Sequence, residues 1–417
     1  MKGYRRQDGR KGIRNYVVVV YLVECAHCVA REIVLPWRHK GAQLIGFSGC
    51  YPNAYADRIM KRLCTHPNVG AVLLVSLGCE SFHRRDLAET VRQSGRPVHT
   101  LVIQETGGTR ATTAAGRAWV EQALAQLNDT PRVELEISDL VVGTICGGSD
   151  ATSGLTANPV IGKVFDWLVD RQATAIFEET NELVGCEEHL AGRAITPGLA
   201  QELTAAVVKA EQYHRVLGHG SFALGNAEGG LTTQEEKSLG AYAKSGCRPV
   251  SGLLKPGDLP PRDGLYLLDV VPDGEVRFGF PNISDNTEAA DLMACGAHLI
   301  LFSTGRGSVV GSAISPVVKV CANPETYRHM REDMDIDAGR ILEDRATLDE
   351  VAQELIDRVI GTAGGEPTAS ESLGHQEFLL TYKSFEPIGP HCLPMANRSQ
   401  GTVPLFAASR TLPQEGA

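Results

Sequence analysis

No stretch of the 417 residues approaches the roughly eighteen consecutive apolar side chains that a membrane span requires. The start, Met1 to Tyr16, carries Lys and Arg but has no apolar core ahead of Tyr16-Val17-Val18-Val19-Val20 and no small-residue cleavage pattern. A membrane partner is therefore not expected, and a cytoplasmic location is. An excess of positive charge is also missing: 40 Lys and Arg against 50 Asp and Glu give a formal net charge of -10, so there is no general attraction to phosphate backbones or anionic lipid. Nucleic acid is excluded on the same ground, although a local basic pocket can still meet an anionic substrate. The 44 glycines lack any period, and hydrophobic residues at 43% are too many for a disordered chain. An even cysteine count is absent too. Eleven cysteines in a chain far too long to need disulfide staples read as reduced thiols or metal ligands. Finally, no full Gly-x-Gly-x-x-Gly follows the first apolar run, which argues against a nicotinamide-dependent oxidoreductase.

What is present is an alternation. Apolar runs at Tyr16–Val23, Ala42–Phe47, Gly70–Leu77, Pro97–Ile103 and Leu140–Ile145 are separated by segments such as Tyr55–Thr65 and Arg84–Ser94, whose apolar residues recur at helical spacing. Runs that are apolar throughout suit strands covered by helices on both faces. The length exceeds what one core usually supports, so the expectation is an α/β fold of two domains with mainly parallel sheets flanked by helices. The boundaries are placed at 1–132, 133–365 and a C-terminal extension, 366–417, whose last part reads as a loosely held tail. Further strands are expected at Thr174–Phe177, Leu265–Val270 and His298–Phe302. Helices are expected over Leu199–Leu217 and Glu288–Cys295 and from Thr233, where Thr233 and Glu236 can form a capping box.

Parallel sheets bind ligands beyond the carboxyl ends of their strands. Five apolar runs lead into Glu24-Cys25-Ala26-His27-Cys28, Ser48-Gly49-Cys50, Gly78-Cys79-Glu80, Gln104 to Thr109, and Cys146 to Asp150, so four of the five put a cysteine there. If their strands are neighbours in one sheet, Cys50, Cys79 and Cys146 converge, and three thiolates select a soft or borderline cation. The competing reading is packing, since free cysteine behaves as a small hydrophobe. The loops Gly107-Gly108-Thr109 and Gly147-Gly148-Ser149 each bring backbone N–H groups toward an anion at a helix start, unless they are merely tight turns. Arg306, in Thr304-Gly305-Arg306-Gly307-Ser308, offers a fork for a carboxylate. Glu178-Glu179-Thr180 with Glu187-Glu188-His189 concentrates acid–base groups beyond a strand, where acidic runs otherwise serve as solvated helix starts. Lys237, near a helix start where the dipole disfavours it, is a candidate functional amine.

These residues lie in motifs that resemble the altronate/galactarate dehydratase family, whose relatives include the large subunit of sulfolactate sulfo-lyase. The matching stretches include Gly12-Ile13-Arg14-Asn15-Tyr16, Gly78-Cys79-Glu80, Gln104-Glu105-Thr106-Gly107-Gly108-Thr109, Cys146-Gly147-Gly148-Ser149-Asp150, Thr156-Ala157-Asn158-Pro159, Gly229-Gly230-Leu231-Thr232-Thr233 and Thr304-Gly305-Arg306-Gly307-Ser308. The resemblance implies dehydration of a sugar acid or similar small hydroxy acid to a 2-keto-3-deoxy acid, assisted by a divalent metal, Fe²⁺ or alternatively Mn²⁺ or Mg²⁺. On that reading Glu80, Glu105, Asp150, Glu188, His189 and Lys237 are the acid–base candidates. Asn158, Asn226, Thr232 and Thr233 join the two glycine loops, Ser149 and Arg306 as substrate contacts, and Cys50, Cys79 and Cys146 are the metal candidates. The small domain carried by fused members has no counterpart ahead of Gly3, so a separately encoded small subunit is expected, as is a homo-oligomer. Where the family often has Gly-Asn-Lys-Ala-Gly-Gly, this chain has Gly225-Asn226-Ala227-Glu228-Gly229-Gly230. The alternatives are a carbon–sulfur lyase acting on sulfolactate and a sugar-acid-binding relative without catalysis.

Overall fold

Val17 to Val20 are wholly buried because the strand Tyr16–Tyr21 lies inside a parallel sheet with helices on both faces. That sheet has four strands in the order Ala42–Gly46, Tyr16–Tyr21, Val69–Ser76 and Val98–Val102. Glu24–Val34 and Thr109–Asn128 cover one face, and Ala54–Cys64 and Arg84–Gln93 cover the other. The computed structural model describes residues 1–218, 223–274 and 284–384. Among them, no helix is long and apolar enough to cross a membrane.

The run ending at Cys146 does not join this sheet. It is the central strand, Val141–Cys146, of a second parallel sheet of seven strands. Their order is Val250–Leu254, Gly264–Leu268, Thr174–Phe177, Val141–Cys146, Leu299–Thr304, Val317–Cys321 and Ile336–Asp337. Ala157–Val169, Pro197–Leu217 and Leu348–Gly364 pack on one face. The other face carries Asp285–Ala294, and its apolar residues merge with those of Ala54–Cys64 into one core shared by the two sheets. Polar groups lock this junction. The Asn68 amide donates to the His298 and Ile314 carbonyls at 2.9 and 3.1 Å, and the buried His66 ring meets the Ala297 carbonyl at 3.1 Å. A third, antiparallel sheet joins Lys11–Gly12, Lys2–Arg5 and Arg132–Glu134. Strands of two to four residues have too little periodicity to be read from sequence.

The early part of the C-terminal extension is packed as a strap across both sheets. Arg14 grips Glu371 with two bonds of 2.8 Å while the Tyr16 hydroxyl donates to the same carboxylate at 2.7 Å. Further on, Asn53 donates to the Tyr382 carbonyl at 2.7 Å, and Lys383, with a side chain 1% exposed, pairs with Asp291 at 2.6 Å. The remainder, from residue 385, lies outside the described residues.

Candidate active site

In the seven-stranded sheet the chain builds outward from Val141–Cys146 in one direction and from Leu299–Thr304 in the other, so the loops leaving these adjacent strands part and open a crevice at their carboxyl ends. Gly147 to Asp150 and Thr304 to Gly307 form its rim, tied together by the Gly305 and Arg306 N–H groups donating to the Gly148 carbonyl at 3.1 and 2.8 Å. Gly147 and Gly305 are required sterically: a Cβ at the first would run into the Asp285 carboxylate, and at the second into that of Asp150. Asp150 itself is occupied. One oxygen accepts from the Thr152 N–H at 2.9 Å and the Thr152 hydroxyl at 2.6 Å, and the other from Asn323 at 2.9 Å, so it holds the loop at the wall of the crevice.

Inside the rim lies a cluster of charge. The helix Gln234–Lys244, started by the Thr233–Glu236 capping box, presents Lys237 and Lys244 on one face, seven residues and two turns apart. Lys237 donates to the Cys146 thiol at 3.3 Å and the Ser149 hydroxyl at 3.2 Å, and it stands 3.8 Å from Glu182. Lys244, wholly buried, is paired with the equally buried Glu179, whose other oxygen accepts from the Cys146 thiol at 3.6 Å. Burial, reinforced by Glu182, pushes the Glu179 carboxyl up to about 7 against the pull of Lys244 and Lys237. Burial and Glu179 likewise raise the Cys146 thiol, with Lys237 and Lys244 opposing. Burial disfavours charge on both lysines, but their anionic neighbours outweigh it and hold both protonated. Dry ammonium groups and a carboxylate near neutrality are what binding an anion and moving a proton require.

A second acidic layer follows. Burial raises Glu288 to about 8, with Glu182 and Asp285 adding to the shift and Lys383 opposing it. Glu178 is driven well above the usual carboxylate range by burial and then by Glu288, and one of its buried oxygens has no hydrogen-bond partner. Lys383, delivered by the strap, is the nearby cation. Its partner Asp291 also accepts from the Tyr55 hydroxyl at 2.6 Å, which ties the strap to the helix of the other sheet.

Cys146, Glu179 and Glu182 each present a ligand atom within 4.8 Å of the others, a spacing and donor set that could hold a borderline divalent cation. The electrostatics fit poorly. The two carboxylates are already balanced by Lys237 and Lys244, which hold the same atoms, so an added ion would leave uncompensated positive charge in a buried site.

The other sequence candidates fall elsewhere. Ser149 is at the cluster through Lys237, and Asn226 donates to the Ser149 carbonyl at 2.7 Å, while Asn158 lines the same crevice, donating to the Gly240 carbonyl at 2.9 Å and leaving its own buried side-chain oxygen without a partner. Arg306 sits on the rim, bonded to the Gly225 carbonyl and 3.4 Å from Glu228, so the acidic departure at position 228 offsets its charge. Thr232 and Thr233 give their N–H groups to Glu236 at 3.0 and 3.1 Å. Glu188 and His189 are exposed on the short helix Glu187–Ala191. Glu80 closes a turn in the four-stranded sheet, accepting from the Ser76 hydroxyl and, at 2.9 Å, from the Gly78 N–H. Glu105 is exposed near Arg84, beside Gly107, Gly108 and Thr109 at the start of Thr109–Asn128. Cys50 and Cys79 also end strands of that sheet, so the condition for meeting Cys146, one shared sheet, is not fulfilled. Lys244 and Glu182 were not singled out. The seven-residue spacing from Lys237 was a usable signal for Lys244, while Glu182 lies in a loop that carries no periodic pattern.

Comparisons with known proteins show the family. A family model described as D-galactarate/Altronate dehydratase, C-terminal, matches residues 137–385, and one described as D-galactarate dehydratase/Altronate hydrolase, second domain, matches residues 3–128. The chain is 33% identical over 390 residues to the (2R)-sulfolactate sulfo-lyase subunit beta of Chromohalobacter salexigens, covering 91% of this chain and 96% of that protein. It is 29% identical to the altronate dehydratase of Bacillus subtilis, covering 92% and 77% of the two chains. It is 30% identical to the galactarate dehydratase (L-threo-forming) of Escherichia coli, covering 91% and 76%.

Proposed function

Since the chain belongs to the D-galactarate/altronate dehydratase family, and is a carbon–oxygen lyase of the sugar-acid hydro-lyase kind, we propose that it forms a 2-keto-3-deoxy acid by β-elimination at the Cys146–Glu179–Lys237–Lys244 cluster. The observation that carries this reading is the burial of two ammonium groups against a carboxylate held near neutrality, at the crevice of a parallel sheet. The substrate carboxylate enters between Lys237, Ser149 and the Gly147–Gly148 backbone and displaces part of the internal pairing. Glu179 takes the proton from the carbon next to that carboxylate. Lys237 and Lys244 hold the negative charge that develops on the carboxylate oxygens. Glu288, raised to about 8 and so protonated at neutral pH, gives a proton to the departing hydroxyl; water leaves and the enol ketonises.

A second reading keeps the same proton abstraction and expels sulfite from sulfolactate instead. The span of the match to a sulfo-lyase subunit beta supports it, and that relative's name supports a separately encoded partner subunit. Purified protein, with Fe²⁺ under anaerobic conditions, is to be incubated with aldonates, aldarates and sulfolactate. Appearance of a 2-keto acid supports dehydration, and release of sulfite selects the second reading. Neither product, with the partner subunit supplied, rejects both.

A further inference from the structure

We infer that Cys25, Cys50 and Cys79 form a thiolate site for an iron–sulfur cluster at the carboxyl edge of the four-stranded sheet, separate from the Cys146–Glu179–Glu182 group. The topology brings them together. This sheet also reverses direction, between Tyr16–Tyr21 and Val69–Ser76, and Cys25 and Cys79 stand in the loops that leave those two strands. Cys50 follows the adjoining strand, Ala42–Gly46. The three loops are bonded to one another: the Glu24 N–H donates to the Ser48 carbonyl at 3.2 Å, and the Ser81 N–H to the Cys50 carbonyl at 2.9 Å. The Cys50 loop thus touches both of the others.

The local structure leaves the three sulfurs open to solvent. All three cysteines are free and exposed. Cys25 is the second residue of the eleven-residue helix Glu24–Val34, whose capping residue Val23 makes no side-chain bond. Glu80 folds back onto Ser76 and Gly78 and makes the tight turn that leaves Cys79 facing out. Exposed cysteines on adjoining loops have no packing role, because burial is what gives a cysteine one.

Spacing selects a cluster over a single ion. A tetrahedral ion holds thiolates about 2.3 Å from itself, hence under roughly 4 Å from each other. Among the described residues, the group with ligand atoms within 4.8 Å of one another is Cys146, Glu179 and Glu182, not this trio. A cluster binds each cysteine through a different iron and so accepts wider separation. Three cysteines leave one iron open to an oxygen ligand such as a hydroxyl or carboxylate. The strap passes along this edge: Tyr382 packs on Phe47, with ring centres 5.3 Å apart beside Gly49, and the next residue, Lys383, pairs with Asp291.

The test reads metal rather than turnover, so its outcome is independent of the role assigned to Glu179. The full chain is purified anaerobically after reconstitution with iron and sulfide, then assayed for iron, acid-labile sulfide and visible absorbance. Iron and sulfide in equal amounts are expected, with at least a tenfold loss of sulfide in each of Cys25→Ser, Cys50→Ser and Cys79→Ser. Cys247→Ser and Cys146→Ser should retain the wild-type content. Because a variant can misfold, alkylation of the folded wild-type chain gives a second readout: Cys25, Cys50 and Cys79 should be protected when loaded and labelled after chelation. Absence of sulfide, one bound zinc without sulfide, loss confined to Cys146→Ser, or labelling unaffected by loading would each overturn the inference.

Discussion

The carboxyl edges of the two parallel sheets have the same topology and similar sequence signals, yet they are different chemical environments. At the four-stranded edge Cys50, Cys79 and Glu105 face solvent, and Glu80 is satisfied within its own turn. At the seven-stranded edge, helix Gln234–Lys244 covers the crevice, and the same kinds of residue become a dry network whose charges answer one another. A residue type just beyond a strand marks a place. The cover over that place decides whether the residue has shifted acidity, because burial is the largest cause at Glu179, Cys146 and Glu288 alike.

The sharpest way to break this contrast is to neutralise one carboxyl at each edge. Glu179→Gln should lower kcat by about 10²–10⁴, the range for loss of a general base. Glu105→Gln should leave it within a factor of two, and steady-state kinetics on the accepted substrate compares them. Next in size is the strap. Lys383→Met strands Asp291 as a buried carboxylate, 0% exposed, and should cost about 3–5 kcal/mol in urea unfolding; an unchanged midpoint would remove the strap from the stabilising framework.

A third effect concerns the junction between the sheets. His298 accepts from the Val141 N–H at 2.9 Å and meets the Lys11 carbonyl at 2.8 Å, and burial lowers its folded pKa to about 4. The unfolded imidazole gains its proton near 6.5, so the stability associated with the neutral ring is present above that pH and is lost as pH falls toward 4. The loss should reach roughly 3 kcal/mol, and His298→Gln should flatten this part of the pH–stability curve. The smallest effect is expected at the exposed Glu188: Glu188→Gln should change stability by less than about 0.5 kcal/mol and leave activity intact.

Much of the fold was legible in the sequence. Val17 to Val20 and Val141 to Ile145 read as strands because helices cover both faces, and the Thr233–Glu236 cap marked the helix that carries Lys237. The assignment of strands to sheets was not legible, since periodicity reports burial and not neighbours; that is why Cys146 was grouped with Cys50 and Cys79. The packed part of the C-terminal extension was hidden for a related reason. Lys383 and Glu371 are ordinary surface types until Asp291 and Arg14, 92 and 357 residues away, enclose them. At the site, Lys237 and Ser149 were readable from local signals. Glu179 stood in the same acidic cluster as Glu188 and His189, and only the structure shows that it lies nearer its strand and beneath the covering helix while those two are exposed.

The central claim is that proton transfer belongs to Glu179, tuned by the lysines that cover the seven-stranded edge. Its most direct test is the pH dependence of kcat/KM, on whichever acid the enzyme converts, for wild type and Lys244→Met. The wild-type profile should rise with pH through a limb near 7, as Glu179 loses its proton. Removing the Lys244 ammonium, which holds that carboxyl down, should move the limb to higher pH. A limb that stays in place when Lys244 is replaced would contradict the assignment.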